Sequence, residues 1–282
     1  MVDRSWFARN LETVIARPTL VGRFLWWLLM SRLPFPGKEA RLKPGVRWGG
    51  FASFGDYLYQ KDGPNVSLRE YVKSSLRTAL RPVVFDVGAN LGTFSLFVCS
   101  TRPEATVFAF EPIKNTFLGL QRNLEPFTPA ARALRLAVGS SCEELVSFSL
   151  DPASPATAQV AGMSGVAAPE HASPMTTVDS FMESYSIDRL DLVKIDVEGY
   201  EIEVLEGASG ALSKKRIAAL CIEVCPRNLE GFGKTARDLF LTIRRFGYSI
   251  AYYDPRAASW ERDLTLERSL AFDLADVLCR PE

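Results

Sequence analysis

Short apolar runs recur along this chain, and each stops at a polar or glycine-containing turn before a helix-like segment begins. The runs are 83–87 (VVFDV), 105–112 (ATVFAFEP), 133–139 (ALRLAVG), the start of 190–208 (LDLVKIDVEGYEIEVLEGA) and 217–224 (IAALCIEV). They are mostly apolar throughout, so each reads as a strand buried on both faces. Helices are expected over 90–100, from Pro112 to about Asn123, within TTVDSFMESY, and over 234–246. Two further strands, 247–254 and 273–280, close the chain as an antiparallel pair. Strand–helix alternation of this kind specifies an α/β fold, a mostly parallel sheet with helices on both faces.

The rhythm breaks twice. Residues 143–176 hold LVSFSL and then a stretch rich in Ser, Ala, Gly and Pro, which reads as an inserted hairpin plus a long flexible loop, 151–174, over the site. Ahead of the sheet, residues 1–33 read as helical and 40–66, Gly-rich and aromatic, as short strands or loops. Ser67 with Glu70 is a capping-box pattern for a helix reaching about Leu80, where Pro82 stops it. The expected organisation is an N-terminal extension, 1–80, and one α/β domain, 81–282, carrying the insertion 143–176.

Composition excludes several function classes. Lys+Arg and Asp+Glu both number 33, so no basic field invites nucleic acid. The five cysteines contain no CxxC pair and read as reduced residues of a cytoplasmic protein. With His171 the one histidine, a Ser-His-Asp hydrolase or a His-rich metal site has little to stand on. No small-residue cleavage site follows the apolar run near the N-terminus, so a signal peptide is not expected. That run, 24–30 within VGRFLWWLLMSRLPFPG, is far shorter than the ~20 residues that span a bilayer. Arg23 and Arg32 flank it and Trp26 and Trp27 lie inside it. Residues 21–33 therefore suit peripheral contact with the inner face of a membrane, or a helix packed on the main domain or on a homodimer partner.

In parallel sheets ligands bind beyond the carboxyl ends of the strands. Those ends carry Asp86, Glu111, Ala137 and Val138, Asp196 with Glu198, and Glu223. A single acid in such a place is often a helix cap or a solvated group; here acids recur at four of the five strand ends. Gly88 and Gly92 would let backbone approach a ligand closely. The turn reads G-A-N-L-G rather than G-x-G-x-x-G, and Asp86 beside it would repel a phosphate. An acidic first turn suits a ligand with a cationic amine and a sulfonium. Glu111 ends the next strand, near the ~20-residue spacing of an acid that accepts ribose hydroxyls. Together these favour S-adenosylmethionine over NAD. A nicotinamide-dependent oxidoreductase and a non-catalytic, membrane-associated assembly protein are the alternatives.

FDVGANLGTFSL, FAFEP, LAVG, TTVDSF and above all VKIDVEGYEIEVLEGA resemble the FkbM-type methyltransferases of the class I, Rossmann-like fold, over roughly 83–280. The resemblance implies a seven-stranded sheet of order 3-2-1-4-5-7-6. It also implies O-methylation from S-adenosylmethionine, often of a sugar hydroxyl in a glycolipid, polysaccharide or antibiotic. It further implies that Asp86, Gly88, Asn90 and Gly92 hold the methionine part, that Glu111 holds the ribose, and that Ala137 and Val138 flank the adenine. Asp196 and Glu198 would face the reacting methyl.

A sugar hydroxyl needs a base within hydrogen-bond reach or a metal that lowers its pKa. Asp196 is the leading base, with Glu198 and, from the inserted loop, His171 as the others. Asp196 and Glu198, two apart on a strand end, would face the same way. With Glu223 they could hold Mg²⁺, which prefers oxygen ligands; alternatively Glu198 caps the following helix and Glu223 pairs with Arg227 or Lys194. Lys194 shares the face of Asp196 and would pair with it or with Glu223.

Overall fold

The computed structural model describes residues 40–43, 46–48, 65–151, 154–162 and 172–282. The helical reading of 1–33, the membrane contact through 21–33 and His171 lie outside the described residues. No helix among the described residues is long and apolar enough to cross a membrane.

The strands, in chain order, are β1 (Ala40–Lys43), β2 (Val46–Trp48), β3 (Val83–Val87), β4 (Thr106–Phe110), β5 (Ala131–Leu134), β6 (Ala137–Val138) and β7 (Glu143–Asp151). They continue with β8 (Ser154–Gly162), β9 (Ala172–Thr176), β10 (Leu192–Ile195), β11 (Leu220–Val224), β12 (Tyr248–Asp254), β13 (Ser259–Glu261) and β14 (Ala275–Pro281). Eight of them form one sheet of order β13-β12-β14-β11-β10-β3-β4-β5. From β11 through β10, β3 and β4 to β5 all neighbours are parallel. β14 enters antiparallel between β11 and β12. Counted along the chain this is the expected 3-2-1-4-5-7-6 order, with short β13 added at the edge.

The central strands are buried on both faces, and successive residues serve two different cores. Phe85 belongs to one that includes Phe181, Ile202, Phe240 and Ile243. Val84 belongs to the other, with Tyr71, Leu96, Leu120 and Leu124. This is why the strands read as unbroken apolar runs.

Helix Val66–Leu76 packs on this body. Tyr71 is fully buried; its hydroxyl donates to the Asp276 carbonyl at 2.7 Å and accepts the Tyr253 N–H at 3.0 Å, tying the helix to β14 and β12. The helix is capped by Asn65, whose side chain accepts from Leu68 N–H at 2.9 Å. Ser67, the expected cap, instead donates its hydroxyl to the Tyr253 carbonyl. The helix after β3 starts at Thr93, not at residue 90, because the chain first turns through Asn90 and Gly92 at positive φ.

The run 133–139 is not one strand. The third strand of the large sheet ends at Leu134, and Ala137–Val138 joins a second, four-stranded sheet of order β6-β9-β7-β8. The inserted hairpin is present as β7 and β8, but β8 and the start of β9 occupy half of what reads as loop, 151–174. The small sheet is anchored by Ile113, Ala137, Val146, Phe148 and Met175, against which Tyr200 packs.

Candidate functional site

The turn after β3 is pinned to the end of β4. Gly88 N–H and Ala89 N–H both donate to the Phe110 carbonyl, at 3.1 and 2.9 Å. Asn90 N–H donates to Glu111 Oε2 at 3.0 Å, and Ile113 N–H to Glu111 Oε1 at 2.9 Å. Glu111 therefore buckles two turns together while buried at the carboxyl end of β4. Burial pushes its carboxyl up to about 7, with the two N–H donors pulling the other way. Gly88 adopts φ +78°, and a Cβ there would lie 1.8 Å from the Asp196 carbonyl oxygen. At Gly92 a Cβ would lie 2.7 Å from Leu120. The Cβ sides of both glycines are thus filled by protein, and Gly88 allows the β3 and β10 turns to meet.

Asp86 is 1% exposed. Its Oδ2 accepts the Ser95 hydroxyl at 2.6 Å and the Ser95 N–H at 3.2 Å, so it ties down the first turn of the helix that follows. Its Oδ1 is buried and accepts no hydrogen bond; Lys194 Nζ stands 4.0 Å away. Burial pushes the Asp86 carboxyl above the ordinary range, with Lys194 and Ser95 opposing.

Lys194 lies beside Asp86 in the β10–β3 register and is buried. Its Nζ donates to Asp196 Oδ2 at 2.7 Å. Burial works against its charge, but Asp196 and Asp86 outweigh this and hold the ammonium above its usual pKa. Lys194 acts electrostatically on Asp86, Glu198, Glu223 and Asp276 as well.

Asp196 follows β10 and is about a third exposed, at 29% of its side chain. Glu198 does not share its face by strand alternation, because β10 ends at Ile195 and Glu198 turns back at φ +55°. Glu198 Oε2 accepts Asn228 Nδ2 at 2.7 Å. Burial, then Asp196 and Glu201, push its carboxyl up to about 7. The turn itself is held by Glu201, whose Oε1 accepts Gly199 N–H at 3.0 Å and Val197 N–H at 3.3 Å. Glu201 rather than Glu198 thus serves the turn and the start of the next helix. Glu223, on β11, is driven well above the usual range by burial and by Asp196 and Asp276. Asp276 is its cross-strand partner and accepts Asn65 Nδ2 at 2.7 Å.

The chain matches the family model described as "Methyltransferase FkbM domain" over residues 86–250. It belongs to the FkbM methyltransferase family. Membership sets aside the oxidoreductase alternative. The chain is 37% identical over 133 residues to the hexuronic acid methyltransferase AglP of Haloferax volcanii, covering 46% of this chain and 51% of that one. It is 48% identical over 61 residues to the 31-O-demethyl-FK506 methyltransferase FkbM of Streptomyces tacrolimicus, covering 21% of this chain and 24% of that one. It thus spans about half the length of AglP and about a quarter of the second relative. Among solved structures, a precorrin-6y C5,15-methyltransferase of Geobacter metallireducens is a distant likeness, with TM-score 0.40 and 12% identity over 76% of this chain and 86% of that one.

Within this FkbM frame Asp86, Asp196, Glu198 and Glu223 lie within electrostatic reach of Lys194, and Glu111, which holds the Asn90 N–H, lies within reach of Asp86 and Asp196. Ala137 and Val138 are buried in the small sheet rather than ending a strand of the large one. Asp196, Glu198 and Glu223 do not assemble as a Mg²⁺ site: among the described residues no three His, Cys, Asp or Glu side chains are grouped to hold a metal. Ser95, Glu201, Asn228 and Asp276 escape the sequence reading. Glu201 alone left a trace there, as an acid just after a glycine turn; the others meet their partners across the fold.

S-adenosylmethionine suits the residues present. Its methionine ammonium and sulfonium are cationic, and the site gathers carboxylates, among them the buried Asp86 Oδ1 that accepts no hydrogen bond.

Proposed function

We propose that this FkbM-family chain is an S-adenosylmethionine-dependent O-methyltransferase acting on a hydroxyl of a sugar, in a glycolipid, polysaccharide or glycosylated natural product. The observation that carries this reading is the set of carboxylates converging on Lys194 from the ends of β3, β10 and β11, with Glu111 at the end of β4. AglP, by its name, acts on a hexuronic acid, which supports a sugar acceptor.

S-adenosylmethionine supplies an electrophilic methyl on a sulfonium. The chain's own residues bind, orient and take up a proton. Asp86, Gly88, Asn90 and Gly92 frame the methionine end. Glu111 accepts from the ribose hydroxyls, using lone pairs left by Asn90 and Ile113 N–H. Ala137 and Val138 form an apolar border for the base.

Alignment of the acceptor oxygen behind the methyl supplies several kcal/mol on its own. Glu198, with its carboxyl near 7, is the group best matched to accept the hydroxyl proton at neutral pH. Asp196, whose Oδ2 accepts from Lys194 Nζ at 2.7 Å, is assigned to hold the acceptor hydroxyl in line. Incubation with methyl-labelled S-adenosylmethionine and a panel of glycosides tests this: label should appear as an O-methyl ether by NMR. Absence of label from every hydroxyl acceptor sinks the reading.

A further inference from the structure

Glu198 sits in a left-handed backbone conformation, at φ +55°, and Gly199 follows at φ +106°. A residue with a Cβ is disfavoured there and keeps the conformation only where its surroundings impose it. Two contacts do so. Asn228 Nδ2 donates to Glu198 Oε2 at 2.7 Å, which holds the side chain. Glu201 Oε1 accepts the Val197 N–H at 3.3 Å and the Gly199 N–H at 3.0 Å, which holds the backbone one residue to either side. The Asn228 strut is itself fitted closely, since a Cβ on Gly199 would lie 2.3 Å from the Asn228 carbonyl oxygen.

Glu201 is buried. Its Oε2 is buried too and meets no hydrogen-bond partner among the described residues. A carboxyl with one oxygen in that state costs stability, and its other oxygen serves two donors of a single turn. Both donors precede the helix Glu201–Glu206. The bonds therefore fix the turn ahead of the helix, and with it the direction in which Glu198 leaves the backbone.

We propose that Glu201 is a positioning residue for methyl transfer, aiming the Glu198 carboxylate at the acceptor hydroxyl by clamping the N–H groups on either side of it. The inference rests on the reading above, in which Glu198 accepts the hydroxyl proton. Glu201 touches neither acceptor nor cofactor in this role and acts only through Glu198.

The test is a double-mutant cycle on the full chain, with methyl-labelled S-adenosylmethionine and the aryl hexoside best labelled by the wild type. Glu201→Leu should lower kcat by about 10–100-fold, the scale of a misplaced reacting group, with little change in cofactor affinity. In the Glu198→Gln background the same change should cost less than about threefold, because residues acting through one another are not additive. Glu201→Gln, which keeps the acceptor oxygen, should retain kcat to within about threefold of wild type. Where Glu201→Leu does not fold, Glu201→Asp, whose carboxyl is one methylene short of the two N–H groups, takes its place in the cycle.

An equal loss in both backgrounds overturns the inference, since Glu201 would then support the fold and not Glu198. Glu201→Gln as poor as Glu201→Leu overturns it too, since charge rather than the clamp would decide. Normal kcat in Glu201→Leu does the same. Failure of the underlying reading looks different: the wild-type chain itself would transfer no label, or Glu198→Gln would leave kcat unchanged.

Discussion

Lys194 Nζ donates to Asp196 Oδ2 at 2.7 Å, from a side chain that is itself buried between β3 and β11. One ammonium thereby orients Asp196 and offsets the charge of buried Asp86. Removing one partner of a buried ion pair costs about 3–5 kcal/mol, because the other charge is left uncompensated. Lys194→Met is expected to lower stability in urea by about that amount at pH 7.

Glu198 should set the pH dependence of turnover. A base must be deprotonated, so kcat/KM is expected to rise with pH through about 7, the value to which burial and Asp196 push its carboxyl. Glu198→Gln should remove that rising limb and lower kcat by roughly 10²–10⁴. Asp196→Asn should lower kcat on the same scale, keep the limb, and leave cofactor affinity within about tenfold, roughly 1.4 kcal/mol. Near-normal turnover in Asp196→Asn would make that residue structural.

Glu111 links cofactor affinity to pH. Burial pushes its carboxyl up to about 7, and in the proposed role the ribose hydroxyls would donate to the ionised form. S-adenosylhomocysteine should therefore bind up to about tenfold more tightly at pH 8 than at pH 6, since a tenfold change in the ionised fraction is about one pH unit from the midpoint. Calorimetry at the two pH values checks this. Glu111→Ala should weaken binding by roughly 1–3 kcal/mol and abolish the pH effect.

Buried acids also link stability to pH. Glu111 and Glu201 have carboxyls pushed from 4.5 up to about 7 in the folded chain, by burial first. Between those values the folded state binds more protons than the unfolded one. Their contribution is full below pH 4.5 and is lost as pH rises to 7, at up to about 1.4 kcal/mol per pH unit for each group. Urea midpoints from pH 5 to 7 should fall accordingly, and Glu201→Gln should flatten the slope.

Two glycines of like backbone should respond differently to alanine. Gly88 at φ +78° would place a Cβ 1.8 Å from the Asp196 carbonyl, whereas Gly233 at φ +67° has nothing within 4 Å. Gly233→Ala carries only left-handed strain, about 1–2 kcal/mol. Gly88→Ala adds an overpacking cost of about 1–3 kcal/mol and should displace the Asp196 turn, so activity falls with stability. Equal denaturation midpoints for the two variants would remove the packing role assigned to Gly88.

The order of the large sheet was legible in the chain because its signals are local. Apolar runs such as VVFDV and LCIEV are buried on both faces, and strand–helix alternation leaves few ways to connect them. The acids at the strand ends were legible for the same reason: a strand that must end at a ligand-facing edge ends on Asp86, Glu111 or Asp196 wherever the sheet places it. What each acid does was decided by residues distant in sequence. Asp86 is held by Ser95, Glu198 by Asn228, and Asp276 meets Glu223 only because β14 runs antiparallel to β11. The split of 131–138 between two sheets likewise needed tertiary structure, since a short apolar run has the same periodicity whichever sheet it joins; here β6 pairs with β9 and leaves β5 to pair with β4. Charge state was the least legible property, because burial and neighbouring carboxyls, not residue type, raise Glu111, Glu198 and Glu201 to about 7.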